Sequence, residues 1–365
     1  MSSHGIGVVG LGVISKAYLE TLTDAAGVRI TAVADLDHER ATAVAATVEG
    51  ARALSPAELY ADPSVDTLLN LTIPAAHEEV ALAALAAGKD VYGEKPLAAT
   101  LDAATRVLSA ARRSGGRVGC APDTVLGTGV QTARAAVESG VIGTPVSATA
   151  TWLSSGHEAW HPHPDFYYRE GGGPLLDMGP YYLTALVHLL GPVAWVQGAS
   201  SRARDTRIIA TGPRAGESIP VEVETHVTGV LGHANGALST VTFSFDAAAT
   251  SAAPIEVHGG EGVLVLPDPN YFSGPVRVRR NGRDEGEELA VTAGYVDAAR
   301  GVGLLDFVAG DGRASGELAL HVLDIMTGLL DSAREGRRRS LTSTAAVPPL
   351  VPLTPASLWH GPARA

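Results

Sequence analysis

The chain has 365 residues, 45% of them hydrophobic, 18% charged and 5% aromatic, with a formal charge of −12 from 27 basic and 39 acidic side chains. That composition is globular rather than disordered, and the length suits two domains, because single cores stop growing near ~250–300 residues. The acidic balance repels phosphate backbones and no apolar run approaches the ~20 residues that span a bilayer, so neither nucleic acid nor a membrane is an expected partner.

The opening MSSHGIGVVGLG lacks a basic stretch and passes straight into a strand pattern, so no signal peptide is expected. Short apolar runs then alternate with helical patterns. They predict strands at 6–9, 29–34, 67–71, 90–92 and 117–119, and helices at 14–23, 38–47, 77–87 and 100–114. This alternation is the pattern of a parallel, doubly wound α/β sheet. Gly88 closes the helix at 77–87, as a C-cap glycine does. The lone Cys120 excludes an internal disulfide and a cysteine-based zinc site, and suits a reducing cytoplasm.

The character changes after Pro122. A helix at 129–139 and a strand at 145–153 lead into a loop rich in His, Pro and aromatic residues, then a helix at 180–190. Strands follow at 193–204, 222–231, 236–245, 254–257, 262–266 and 276–279, joined by short glycine-containing turns. Such succession predicts an α+β domain with a large, mostly antiparallel open sheet. A long helix at 315–335 comes next. The run Arg337–Arg339 reads as its solvated end, and the Pro-rich tail as extended chain. The expected division is 1–122 for cofactor binding and 123–365 for substrate binding and oligomerisation. A sheet with one bare face predicts a homodimer or homotetramer.

Val8-Val9-Gly10-Leu11-Gly12-Val13-Ile14-Ser15 is strand, glycine turn and helix start. Gly10 permits the tight turn, Gly12 lets the backbone approach a pyrophosphate, and the helix N-terminus favours its charge. Val13 and Ile14 are candidate contacts beside them. Asp35, at the end of the second strand, is placed to accept the ribose hydroxyls and repel a 2′-phosphate, so NAD is expected over NADP, with Arg40 within loop reach.

Three further motifs carry a family resemblance. They are Thr72-Ile73-Pro74-x-x-His77, Glu94-Lys95-Pro96 after the strand at 90–92, and Gly171-Gly172-Gly173-x-Leu175-x-Asp177-x-Gly179. With Gly10-x-Gly12 they resemble the glucose–fructose oxidoreductase/inositol dehydrogenase (Gfo/Idh/MocA) family over nearly the whole chain. The resemblance implies a Rossmann cofactor domain. It implies that Lys95 meets nicotinamide ribose and substrate, that Pro96 follows a cis peptide bond, and that Thr72, Ile73, Pro74, His77 and Glu94 line the cofactor cleft. Asp177 would contact substrate or position the acid–base residue four places on. Much of the family has histidine there and aspartate three beyond; here Tyr181 and Thr184 stand in those places. A tyrosine resembles the branch in which it is the proposed acid–base, and weighs against an inositol dehydrogenase.

The chemistry is coherent on its own. Oxidising a secondary alcohol needs a hydride acceptor and a base for the hydroxyl proton. A phenol near pKa ~10 is a poor base at neutral pH, and a nearby ammonium such as Lys95 would favour its phenolate. Asp177 and Tyr181 share a helix face if the helix has begun by then, with Pro180 in its first turn. Plain core packing is the competing reading of Tyr181 and its neighbour Tyr182, and His188 or a histidine of the loop before the glycine run is the fallback base. In the loop at 156–169, Pro162 and Pro164 impose an extended path that disfavours a metal site among His157, His161 and His163. Trp160, His161 and Arg169 are better read as substrate contacts; His321, Asp123 and Gln131 are further candidates. The expected function is hydride transfer between NAD(P) and a ring carbon of a carbohydrate-like substrate. Two rivals are a glycosidase that holds NAD and consumes none, and a ligand-sensing regulator, which would have lost Lys95 or the acid–base position.

Overall fold

The computed structural model describes residues 3–280, 282 and 286–360; the last five residues of the tail lie outside them. The chain forms two compact units. One is Met1–Gln131 with Thr292–Leu320 and Pro349–Ala365, and the other is Thr132–Val291 with His321–Pro348. The expected boundary at 122/123 falls near the end of the first stretch of that first unit, to which the chain later returns twice. Isolated bridges make the return, Gly127 to Tyr295 and Ala25 to His360, while Ala293–Pro352 and Tyr295–Thr354 join the returning segments to each other; no periodicity could signal them.

The first unit contains β1 (His4–Val9), α1 (Ser15–Thr23), β2 (Val28–Ala34), α2 (His38–Ala45), β3 (Arg52–Leu54), α3 (Pro56–Ala61), β4 (Thr67–Asn70), α4 (His77–Ala86), β5 (Asp90–Gly93), α5 (Leu101–Ser114) and β6 (Val118–Cys120). All six strands are parallel, in the order β3-β2-β1-β4-β5-β6. The order reverses between β1 and β4, and the crevice outside the strand ends at such a point is where open α/β sheets hold ligands. Ile6, Val8, Val9, Ile30, Val33, Leu68 and Leu69 are buried, as continuous apolar runs covered on both faces should be. The edge unit β3–α3 was not expected, although Ser55 and Glu58 form a capping box with Pro56 in the first turn. Short helix Val302–Val308 was also missed.

Chain order continues with α6 (Thr128–Glu138). The second unit then contains β7 (Pro145–Leu153), α7 (Pro174–Leu190), β8 (Val193–Ser201), β9 (Thr206–Ile208), β10 (Ser218–Pro220), β11 (His226–His233), β12 (Leu238–Ser244), β13 (Ile255–Gly259), β14 (Gly262–Leu266), β15 (Arg277–Arg280), β16 (Glu287–Glu288) and β17 (Arg339–Ser340). Nine strands form one sheet in the order β16-β15-β14-β13-β7-β12-β11-β8-β17. It is antiparallel except where β12 runs parallel to β7. Helix α7 packs on β7, β11 and β12. Strands β9 and β10 make a separate hairpin where no strand was expected. Ile209, Ile219 and Val221, in and after it, bury against Tyr168 and Phe245.

Helix α7 starts six residues before its expected position. Pro174 takes the first turn and Gly173, at φ 94°, precedes it, so Pro180 lies inside the helix. The glycine run hid this start, and burial from Met178 through Leu190 outweighs the interior proline. Asp177 and Tyr181 consequently lie on one helix face.

Candidate functional site

The first unit carries the cofactor half. Gly10 adopts φ 86°, and a Cβ there would meet the backbone of Leu71 and Thr72 at 2.7 Å, so the turn requires glycine. At Gly12 an added Cβ would meet nothing within 4 Å, which leaves the backbone open to a ligand. Helix α1 begins behind it with no side-chain cap at Ile14. Unsatisfied N–H groups at a helix start suit a pyrophosphate. Val13 is 99% exposed, Leu36 97% and Ile73 69%, and Ile14 is exposed too. Apolar side chains bared together at the carboxyl ends of β1, β2 and β4 are what a flat dinucleotide would cover. These residues fit NAD.

Asp35 is more engaged than the sequence suggested. Its Oδ2 accepts from the Leu11 N–H at 2.7 Å, and its Oδ1 accepts from the Asp37 N–H at 3.0 Å and from Arg40 Nη1 at 3.2 Å. Burial raises the carboxyl pKa, but these donors outweigh it and hold Asp35 below the usual carboxylate range. A carboxylate has about four lone-pair sites, so three donors leave room for one ribose hydroxyl rather than both.

On the other side of the crevice, the Lys95–Pro96 bond is cis, as the resemblance implied. Glu94 anchors this turn: Tyr18 donates its hydroxyl to Oε1 at 2.8 Å, and the Lys95 N–H donates to Oε2 at 3.0 Å. Asn70 Oδ1 anchors the facing turn, accepting the Thr72 N–H at 3.2 Å and hydroxyl at 2.6 Å. Pro74 is exposed, and His77 is buried between the two turns.

In the second unit the central residue is His157, which the sequence had placed among three loop histidines without giving it a substrate role. His157 Nε2 lies 2.8 Å from Asp177 Oδ2, and the indole N–H of Trp160 donates to His157 Nδ1 at 3.2 Å. An indole can only donate, so Nδ1 presents its lone pair and the ring proton sits on Nε2, donating to Asp177. The ring is packed by Tyr167 and Phe245, with centroids 4.3 and 4.7 Å away. Its backbone N–H donates to the Tyr168 hydroxyl at 3.1 Å. Tyr168 donates in turn to Glu158, which pairs with Arg207; Arg207 also pairs with Asp246, which accepts from Thr225. Arg207 and Glu158 are buried, so each charge is compensated by the other. This chain of bonds ties the loop to β9 and fixes His157, and through it one oxygen of Asp177. No local pattern announces it, since Arg207 and Asp246 lie far along the chain.

Of the adjacent tyrosines, Tyr182 is committed to structure. Its hydroxyl donates to Asp268 at 3.1 Å and its ring meets Phe243 edge-on. Burial, with the Asp268 charge, pushes its pKa far up. Tyr181 is buried at 7% exposure, one position round the helix. The structure gives the remaining candidates different surroundings. Trp160 is exposed apart from its bonded indole N–H; His161 accepts the His163 N–H at 3.0 Å; Arg169 is exposed near Asp165. Burial and the Arg134 charge push His188 down to about 3, so it is no base near neutrality. His321 accepts the Val193 N–H at 3.0 Å inside the second unit. Asp123 accepts the Gly301 N–H at 2.7 Å, and Gln131 the Val351 N–H at 3.0 Å, both holding the returning chain.

The His157 bond carries a consequence for turnover. His157→Leu should lower kcat about tenfold or more, because Asp177 loses a charge-assisted bond. His157→Gln, which keeps a donor, should recover part of that loss. Dinucleotide affinity should not change in either. An unchanged kcat in the leucine variant would make His157 a packing residue only.

Residues 4–121 match the family model described as an oxidoreductase family with an NAD-binding Rossmann fold, and residues 130–265 match the GFO/IDH/MocA C-terminal domain. Inositol 2-dehydrogenase 2 of Saccharopolyspora erythraea is 46% identical over 112 residues, a stretch covering 30% of this chain and 33% of that relative. An inositol 2-dehydrogenase of Ralstonia nicotianae is 28% identical over 293 residues, covering 73% of this chain and 75% of the relative. The crystal structure of an NAD binding oxidoreductase from Klebsiella pneumoniae superposes with a TM-score of 0.82 at 25% identity, covering 94% of this chain and all of that one.

Proposed function

This chain belongs to the Gfo/Idh/MocA family of NAD-binding oxidoreductases, and from that premise we propose that it moves a hydride between NAD and a ring carbon of a sugar, sugar derivative or cyclitol. The observation that carries the reading is the early start of α7, which puts Asp177 and Tyr181 on one face. The inositol 2-dehydrogenases among its relatives support a polyol substrate. When bound, NAD supplies the hydride acceptor. Tyr181 takes the hydroxyl proton as the carbonyl forms, and Lys95 is the charge that favours its phenolate. Asp177, oriented by His157, accepts a substrate hydroxyl. Rates of NADH formation across a panel of cyclitols and aldoses test this. At least one polyol should be oxidised at saturable rate, and no NADH with any polyol, together with no NADH consumption by the corresponding ketones, would refute it.

NAD is the proposed cofactor, because an engaged carboxylate at Asp35 repels a 2′-phosphate. Arg40 refines the expectation. In Asp35→Ala the guanidinium, now held by Asp35 and by Asp37 at 3.3 Å, loses its nearer partner. NADH affinity should fall about tenfold and NADPH affinity should rise. Comparable binding of NADPH and NADH by the unaltered protein, in a fluorescence titration, would contradict the assignment.

Among the described residues no helix is long and apolar enough to cross a membrane. A single buried thiol at Cys120 suits a cytoplasmic setting. The face of the nine-stranded sheet opposite α7, bearing Thr149, Thr151, Thr240 and Thr242, suits pairing between copies into a dimer or tetramer.

A further inference from the structure

His77 stands where two acceptors face one ring. It opens α4, and its side chain is buried at 2% exposure. Nδ1 lies 2.6 Å from the Pro96 carbonyl oxygen and Nε2 lies 3.0 Å from the Thr72 carbonyl oxygen. Carbonyl oxygens only accept, and a neutral imidazole carries one N–H. The neutral ring can therefore hold one of these two turns, and turns a lone pair toward the oxygen of the other. An imidazolium holds both. Asn70 holds the Thr72 N–H and hydroxyl and Glu94 holds the Lys95 N–H, so these bonds anchor the N–H side of each turn and leave the two carbonyls to the ring.

The surroundings divide over the charge. Burial pushes the ring below the usual histidine range, against the pull of the two carbonyls and of Glu94. The start of α4 also disfavours a cation. From β4 the ring faces Asn70, which is neutral, and the wall of the small shared cavity includes Cys120 of β6, whose thiol burial pushes up and keeps uncharged. Of the first-turn acids on α4, Glu78 is paired with Arg106 of α5 at 2.5 Å, and Glu79 is exposed.

We propose that His77 is a positioning residue that joins the Thr72 turn to the Lys95–Pro96 turn, and that closing both turns around a dinucleotide takes up one proton at its ring. The proposal rests on the reading that NAD binds between these turns. The bound state has the higher His77 pKa. Its stabilisation is therefore complete below the pKa of the free protein and is lost as pH rises through that of the bound protein. Affinity should tighten toward acid by up to about tenfold per pH unit within that window, which opens below the usual histidine range.

NADH dissociation constants at a series of pH values test this, with unaltered protein and His77→Gln. A glutamine amide has its donors on one nitrogen and spans one carbonyl, so its profile should be flat, at the affinity the unaltered protein shows at high pH. A flat profile in the unaltered protein, or an equal slope in the glutamine variant, would overturn the proposal. If the variant does not fold, nitrogen-15 shifts of labelled histidine in the unaltered protein decide. His77 should show both nitrogens protonated when NADH is saturating, and one when it is absent at the same pH. A single protonated nitrogen in both states would sink the idea. Failure of NADH to bind at any pH would instead refute the cofactor reading. In that case a His77 ring that keeps one proton in acid, where the protein is still folded, would refute the clamp as well.

Discussion

Tyr181→Phe should lower kcat by about 10²–10⁴-fold, the usual cost of removing a positioned acid–base group. The change deletes one oxygen and keeps the ring, so packing around α7 is preserved. Dinucleotide affinity should stay within about twofold, because the proposed cofactor contacts follow β1, β2, β4 and β5 rather than α7. The pH dependence of kcat should also disappear if, as proposed, it belongs to Tyr181 and Lys95 together rather than to one residue. Tyr182→Phe is the matched control. Its hydroxyl is bonded to Asp268, so that variant should lose about 1 kcal/mol of stability and little turnover. Melting curves and steady-state kinetics on both variants separate the roles. A damaged Tyr182→Phe beside an active Tyr181→Phe would exchange the assignments by one position.

Lys95→Ala should leave a folded protein that binds NADH and has lost about 10²-fold or more in kcat. Its backbone N–H, which holds Glu94, survives the substitution, so the turn is kept while the ammonium goes. If Lys95 favours the Tyr181 phenolate, the residual activity should require a higher pH than that of the unaltered enzyme, because a phenol without a cation titrates near ~10. Near-normal turnover with an unaltered pH profile would make Lys95 structural. A Lys95→Arg variant, which restores charge without the compact ammonium, should recover only part of the rate.

The turns of the first unit were legible because their signals are local. The Gly10 turn, the acid at the end of β2 and the cis Lys95–Pro96 turn are each set by a few neighbouring residues. Periodicity likewise located most strands of both sheets, where burial on one or both faces imposes a pattern. What it missed lacks a pattern of its own. Strands β3, β9 and β10 are three residues each, too short to show alternation. The start of α7 was masked by glycines whose use is to turn the chain into it. The return of 292–320 and 349–365 to the first unit depends on distant pairings such as Gly127 with Tyr295 and Gln131 with Val351, the latter 220 residues apart. His157 shows the limit most clearly. As one of three histidines in a proline-bearing loop it could be read as a metal ligand, a hydroxyl contact or a fallback base. Its role follows only from Asp177 and Trp160 meeting its two nitrogens, with a buried Glu158–Arg207–Asp246 series behind it.

Transfer of deuterium from carbon tests the central claim most directly. The protein would be given NAD and a polyol deuterated at its ring carbinol positions, and the recovered dinucleotide examined by mass spectrometry. Hydride transfer to a released cofactor predicts NADH carrying one deuterium, formed in step with ketone. Tyr181→Phe should slow that label transfer by the same factor as kcat. A polyol or glycoside consumed while the dinucleotide returns unlabelled and oxidised, or label acquired at the same rate in Tyr181→Phe, would contradict the account.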